Sequence, residues 1–190
     1  MIVGIKEEGN VVLAYSSFEW RKDVTGEDTV SVENAGVWKI KSNPHTIMGG
    51  VAATAESDAF RYEEGIFSGE IDCGRLETEI IPAMEKFAEG KDYIGDENGR
   101  YDRFLIAQNG RLFDITSEHV VSEVDSFIVS GGHGEDFIKS VLYATQGEPT
   151  IDRIRKAFEF AAWEKQSNCY PIAVMDTKTG KLRILTRERD

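Results

Sequence analysis

Met1-Ile-Val-Gly-Ile-Lys-Glu-Glu-Gly-Asn-Val-Val-Leu-Ala-Tyr-Ser16 opens the chain, and its reading decides the fold. Ile2, Val3 and Ile5 are apolar, Glu7 to Asn10 form a polar turn cluster, and Val11 to Tyr15 is a second apolar run. Two β-rich runs joined by a short turn containing Gly and Asn read as a hairpin. The second run does not alternate apolar with polar residues, so its strand is expected to be buried on both faces. A hairpin that begins at the first residue leaves no free tail. In some folds that arrangement puts the α-amino group at the chemistry.

Outward from the hairpin, residues 17–36 are polar and read as a long loop holding at most one edge strand. Val37-Trp-Lys-Ile40 is a strand closed by the turn Ser42-Asn-Pro-His45. Thr46-Ile-Met48 starts the next strand, which Gly49-Gly50 is expected to end, and small residues then lead into a short helix at Glu56–Tyr62. Leu76, Ile80, Met84 and Phe87 recur at helical spacing in the acidic segment 74–90, where Pro82 should kink or split the helix. Residues 91–102 read as a charged loop. Asn109-Gly110, flanked by Phe104-Leu-Ile-Ala107 and Arg111-Leu-Phe-Asp-Ile115, marks a hairpin with a type I′ turn. Ser126-Phe-Ile-Val129 is a strand running into Ser130-Gly-Gly-His-Gly134. Two helices follow, the first with Phe137, Ile138, Val141 and Leu142 on one face. The second is capped near Thr150 and turns Ile151, Ile154, Phe158, Ala161 and Ala162 inward. Ile172-Ala-Val-Met175 and Lys181-Leu-Arg-Ile-Leu185 make a third hairpin around 176–180. Helices in pairs between groups of antiparallel strands exclude an alternating parallel α/β fold. The order fits an α+β protein: a four-layer αββα sandwich, two antiparallel sheets face to face with helices outside, as one domain over 1–190.

Composition narrows the function. With 190 residues, 41% hydrophobic and 29% charged, the chain has length for a core and the make-up of a globular protein. A net charge of −12 argues against nucleic-acid and anionic-membrane surfaces. No apolar run approaches a membrane span and no signal peptide is visible, so the expected compartment is the cytoplasm. Cys73 and Cys169 read as reduced thiols, and His45, His119 and His133 lack metal-ligand spacing, so neither a metal nor another cofactor is expected. His45 and His119 read as surface residues. Trp20, Trp38 and Trp163 read as packing residues.

The order of these motifs resembles the proteasome-type N-terminal-nucleophile (Ntn) hydrolases, in particular the bacterial peptidase HslV and the β-subunits of 20S proteasomes. Ile2-Val-Gly-Ile5 with Val11-Val-Leu-Ala14 is similar to the opening hairpin of that family, and Trp38-Lys-Ile40 to its strand with an inward lysine. Gly49-Gly-Val-Ala-Ala-Thr-Ala55 through Asp58-Ala59 is similar to its turn into the first helix. Val129-Ser-Gly-Gly132 is similar to its Gly-Ser-Gly turn. The resemblance implies a threonine-type endopeptidase, in which an N-terminal threonine attacks the scissile carbonyl and its own amine is the base. A lysine lowers the pKa of that pair, an aspartate positions the lysine, and a Gly-rich turn stabilises the oxyanion.

Position by position, the resemblance implies catalytic roles for Lys39, Ser130, Glu164 and Ser167, and an oxyanion turn at Gly49 and Gly50. Ser16 or Ser17 stands where the aspartate belongs. The nucleophile is missing: Met1 falls one residue past the threonine, and Ile2 has neither hydroxyl nor thiol. Ser16, Ser17, Thr25 and Thr46 could become N-terminal only by removal of the hairpin. The residues also have plainer readings. Lys39 can be a strand-end lysine held by a local carboxylate, and Ser130-Gly-Gly-His-Gly134 a tight strand-to-helix turn. The acidic face of 74–90 can be a solvated helix face.

Three functions follow as expectations. The first is a non-catalytic, self-assembling subunit or binding module, a pseudoenzyme. The second is an active threonine endopeptidase or amidase matured from a longer precursor. The third is a small-molecule binder using the space between the sheets. The resemblance further implies a homo-oligomer such as a ring, a peptide or protein substrate and an ATPase partner, and no nucleic acid or membrane.

Overall fold

A computed structural model describes residues 1–16, 36–43, 45–51, 65–89, 103–116, 118–130, 134–164 and 168–187. The expected helix at 56–62 and the loops at 17–35 and 91–102 lie outside them. Strands β1 (Ile2–Glu7) and β2 (Asn10–Ser16) form the opening hairpin, with Ile2 opposite Tyr15 and Glu7 opposite Asn10. Gly9 makes its turn at φ 64°, a left-handed conformation that costs glycine nothing. β2 is buried along nearly its whole length, as its unbroken apolar run requires.

Among the described residues, the strands form two five-stranded antiparallel sheets. β1 and β2 join β8 (Phe127–Ser130), β9 (Ile172–Asp176) and β10 (Arg183–Leu185) in the order β10-β9-β2-β1-β8. The second sheet runs β3-β4-β5-β6-β7, from β3 (Val37–Lys39), β4 (Thr46–Val51), β5 (Arg103–Gln108), β6 (Arg111–Thr116) and β7 (Val121–Glu123). Asn109 and Gly110 both take positive φ, 50° and 77°, as the type I′ turn between β5 and β6 demands.

Helices cover both outer faces. α1 (Cys73–Arg75), a π-helical turn (Leu76–Ile80) and α2 (Ile81–Glu89) follow one another directly. The interruption expected of Pro82 is a change of register: the Ile81 N–H donates to the Leu76 carbonyl five residues back, just before the residue that has no N–H to give. Asp72 caps α1 by accepting from the Arg75 N–H at 2.8 Å. α3 (Glu135–Ala144) and α4 (Thr150–Glu164) make a helical pair on the first sheet.

Strand alternation sorts the side chains into three cores. Ile2, Leu13, Val37, Ile47, Leu105 and Leu112 meet between the sheets. Val3, Ile5, Ala14, Ile138, Phe158 and Ala161 join the first sheet to α3 and α4. Met48, Phe104, Phe113, Leu76, Ile80 and Met84 join the second sheet to α1, the π turn and α2. The αββα sandwich is therefore present.

Three expectations need correction. Gly49 and Gly50 do not end a strand; β4 runs through them to Val51, opposite Leu105 and Phe104 on β5. Their missing side chains leave room for neighbours, since a Cβ on Gly49 would stand 2.2 Å from Ile2 Cδ1 and one on Gly50 2.6 Å from the Phe104 ring. Trp163 is 71% exposed, where packing was expected. His119 is not simply solvated: its Nδ1 lies 2.9 Å from Glu85 Oε1 on α2.

Candidate functional site

The N-terminal end of β1 is where the resemblance places chemistry. Met1 is buried, and its amine donates to the Ser16 carbonyl at 2.9 Å while the Ser16 N–H donates to the Met1 carbonyl at 3.0 Å. This reciprocal pair extends the β1–β2 ladder by one residue. Burial lowers the pKa of the amine from 8.0 to about 5, because the ammonium form loses its hydration. In a chain that starts at Met1 the amine is therefore neutral at pH 7, the state a base requires.

Ser130 is brought to the start of β1 by the pairing of β8 with β1. It is buried and sits directly opposite Ile2 in the β1–β8 pairing. Ser16 is also buried, but its hydroxyl donates to the Cys169 carbonyl at 2.6 Å, so it satisfies backbone rather than positioning a lysine. Cys169 belongs to the core beneath α4, and burial first, then Glu159, pushes its thiol up to about 11. A thiol so protonated is no nucleophile at neutral pH.

Lys39 is not brought to the amine. Its methylenes and Nζ lie 3.2–3.3 Å from the place a Gly180 Cβ would occupy. The Gly180 N–H donates to Asp176, which stands opposite Val12, whereas Ser16 stands opposite Ile172. The two ends are four residues apart along β2, about 13 Å. The β3 side chain next to the start of β1 is instead Val37, whose Cγ1 shares the space over Gly49 with Ile2 Cδ1. Val37 and Lys39 lie on the same face of β3, so parity does not separate them; register does. Val37 stands opposite Gly49, and Lys39 opposite Ile47.

Gly49 and Gly50, within β4, form no turn. Glu164 is the last residue of α4 and is exposed. Ser167, Gly131, Gly132 and His133 lie outside the described residues.

One polar pair escaped the reading of the sequence. Arg103 on β5 and Asp114 on β6 share the inter-sheet side with Leu105 and Leu112, and Arg103 Nε and Nη2 donate to Asp114 at 2.6 and 2.5 Å. Asp114 is buried, and its hydrogen bond raises the Arg103 pKa, with Glu135 at the start of α3 adding to the effect. A charged residue at an apolar strand position, Asp114 between Phe113 and Ile115, was the available signal. Elsewhere, Ile81, Met84, Phe104 and Ile115 line a small crevice under α2, with Glu85 and His119 at its rim. Among the described residues no group of His, Cys, Asp and Glu could hold a metal ion.

No family model matches the sequence, and no curated protein matches it. Solved structures do match in fold. BPH from Thiobacillus denitrificans superposes with a TM-score of 0.69 at 14% identity, over 98% of this chain and 99% of that one. HslV from Trypanosoma brucei gives 0.57 at 18% identity, over 92% and 97%. Anbu, an ancestral β-subunit from Yersinia bercovieri, gives 0.64 at 12% identity, over 99% and 88%. All three are relatives of the proteasome-type Ntn hydrolases, and the resemblance read from the motifs holds at the level of the whole fold.

Proposed function

We propose that this chain, with its proteasome-type fold, acts as a non-catalytic, self-assembling subunit or binding module of the cytoplasm. One observation carries the reading: the start of β1 is set in apolar surroundings, with Ile2 and Val37 over Gly49 and the Lys39 amine at the far end of the first sheet. Threonine-type chemistry needs a hydroxyl or thiol beside the amine and a cation near both. Neither Met1 nor Ile2 carries such a group, and Val37 fills the nearest position on β3 with methyls. No helix among the described residues is long and apolar enough to cross a membrane.

A second reading is supported by the buried amine and by Ser130 beside Ile2. It is an Ntn-type threonine endopeptidase or amidase, matured from a longer precursor that supplies a Thr, Ser or Cys ahead of Met1. BPH has been solved in complex with epoxomicin, at 15% identity to this chain. In this reading Ser130 and Glu164 keep the roles that the resemblance implies, and an ATPase partner delivers peptide or protein substrate.

The intact mass and N-terminal sequence of the protein from its native locus separate the two. A start at Met1, with no turnover of a fluorogenic peptide panel, agrees with the non-catalytic subunit. A start at a new Thr, Ser or Cys, with turnover, sinks it and establishes the peptidase.

A further inference from the structure

We infer that the open edge of β10 takes up an extended acidic segment of a partner protein as a further strand of the first sheet. The inference does not depend on whether the start of β1 carries chemistry. β10 is the outermost strand on its side of the sheet and pairs on one edge with β9. No strand pairs with its other edge among the described residues, so alternate backbone N–H and C=O groups there are open to a new ladder. Toward the C-terminus the strand ends at Thr186, whose carbonyl accepts from Arg155 of α4 at 3.1 Å.

Side-chain alternation sets what such a strand would meet. Arg183 stands opposite Val174, which packs beneath α3 and α4, and Ile184 stands opposite Ala173, which faces the second sheet. Lys181 and Arg183 therefore share the helix side, while Leu182 and Ile184 share the other. Both cations are exposed, and neither is paired with a carboxylate among the described residues. Ile184 is 40% exposed. An added strand thus finds positive charge on one face and an uncovered aliphatic side chain on the other. Cross-strand neighbours on one face are in contact, so the fitting segment alternates acidic with aliphatic residues.

Charge decides between occupants. Residues 177–187 contain Lys178, Lys181, Arg183 and Arg187 and no Asp or Glu, in a chain of net charge −12. On β7, an outer strand of the second sheet, Glu123 is already engaged by Arg111 and Lys6. A second copy pairing β10 with β10 would bring two basic faces to the same side of one sheet, and like charges across a ladder oppose it. An acidic segment meets attraction here, while the acids elsewhere on the chain are screened beyond about 8 Å at physiological salt.

Calorimetric titration of the full chain at physiological salt, with amide chemical shifts to locate the contact, tests the edge. The probe is the capped peptide Glu-Val-Glu-Val-Glu-Val. It is compared with its Lys-Val counterpart and with the same acidic peptide methylated at every amide nitrogen, which keeps the carboxylates but cannot donate to a strand. The acidic peptide is expected to bind and to shift amides at 181–186, and the other two are expected not to bind. Lys181→Glu/Arg183→Glu should weaken binding about tenfold or more, with unchanged circular dichroism and melting temperature because both side chains are on the surface. An acidic peptide that does not bind overturns the inference. Equal binding of the methylated peptide overturns strand addition, and equal binding of the lysine peptide overturns the selection by charge. Shifts elsewhere on the chain, or a folded double variant that binds like the wild type, overturn this edge as the site.

Discussion

In a chain that starts at Met1, the buried amine makes stability depend on pH in one direction. Its pKa is 8.0 when unfolded and about 5 when folded, lowered by burial. Between those values the unfolded chain holds a proton that the folded chain does not, so stability rises with pH. The contribution is complete above pH 8 and is lost as the pH falls through 5. A tenfold change in proton affinity corresponds to about 1.4 kcal/mol, so lowering this pKa from 8.0 to about 5 amounts to about 4 kcal/mol in all, of which about 3 kcal/mol falls between pH 8 and pH 5. Against a typical total of about 5–15 kcal/mol, that is a large share. Urea unfolding at pH 5, 6, 7 and 8 is measured for the free-amine protein and for its Nα-acetylated form. The acetyl form keeps an N–H that can donate to the Ser16 carbonyl but carries no titrating charge. Every carboxylate and histidine titrates in both proteins and cancels in the difference. The advantage of the acetylated form is expected to grow by about 3 kcal/mol from pH 8 to pH 5. Parallel stability curves would refute the burial argument.

Other outcomes follow from the same contacts. Ile2→Ala removes a fully buried side chain seated on Gly49 and should cost about 3 kcal/mol in urea unfolding; a loss near zero would mean that the space between the sheets closes up. Asp114→Ala leaves the partly buried Arg103 guanidinium without its carboxylate and should cost about 2 kcal/mol, whereas replacing both residues by leucine should recover most of it. With its thiol pushed up to about 11 and its side chain buried, Cys169 should react with a disulfide reagent at pH 8 only after unfolding, and Cys73 before it; peptide mapping reads the order. Ser16→Ala leaves the Cys169 carbonyl without its donor and should lower stability by about 1 kcal/mol, read from the urea midpoint.

The fold was legible where local chemistry and core burial agree. Asn109-Gly110 can hold two consecutive positive φ angles, and the apolar runs beside it leave a hairpin as the consistent solution. The unalternating Val11–Tyr15 run announced a strand covered on both faces. Gly49-Gly50 misled because glycine commonly ends a strand. Here it makes room for Ile2 and the Phe104 ring, whose approach depends on the second sheet and on residues far along the chain. Trp163 misled for a similar reason: a tryptophan in an amphipathic helix is expected inside, and α4 already fills its inner face with Ile154, Phe158 and Ala161.

The candidate site was less legible because it depends on register. Lys39 was matched by its place in a short motif, Trp38-Lys-Ile40, and two residues of register along β3 decide whether a lysine meets the amine or the turn after β9. No local pattern encodes that distance. Ser130 is placed by register too, at the end of a strand that pairs with β1 and opposite Ile2 in the same ladder. The Arg103–Asp114 pair went unremarked because its members lie eleven residues apart on two strands, and only the pairing of β5 with β6 makes them neighbours.

Fold and chemistry separate physically in this chain. The hairpins, the three cores and the helix pairs hold the sandwich together, and little of that rests on any charged group at the start of β1. A lysine at the Val37 position would enter the apolar core between the sheets and would need a partner to offset its desolvation. Ser16 turns its hydroxyl to the Cys169 carbonyl and offers no negative charge. In a chain that starts at Met1, the same desolvation lowers the pKa of the amine to about 5. What separates a catalyst from a scaffold in this kind of framework is a hydroxyl or thiol beside the terminal amine, with a cation near both.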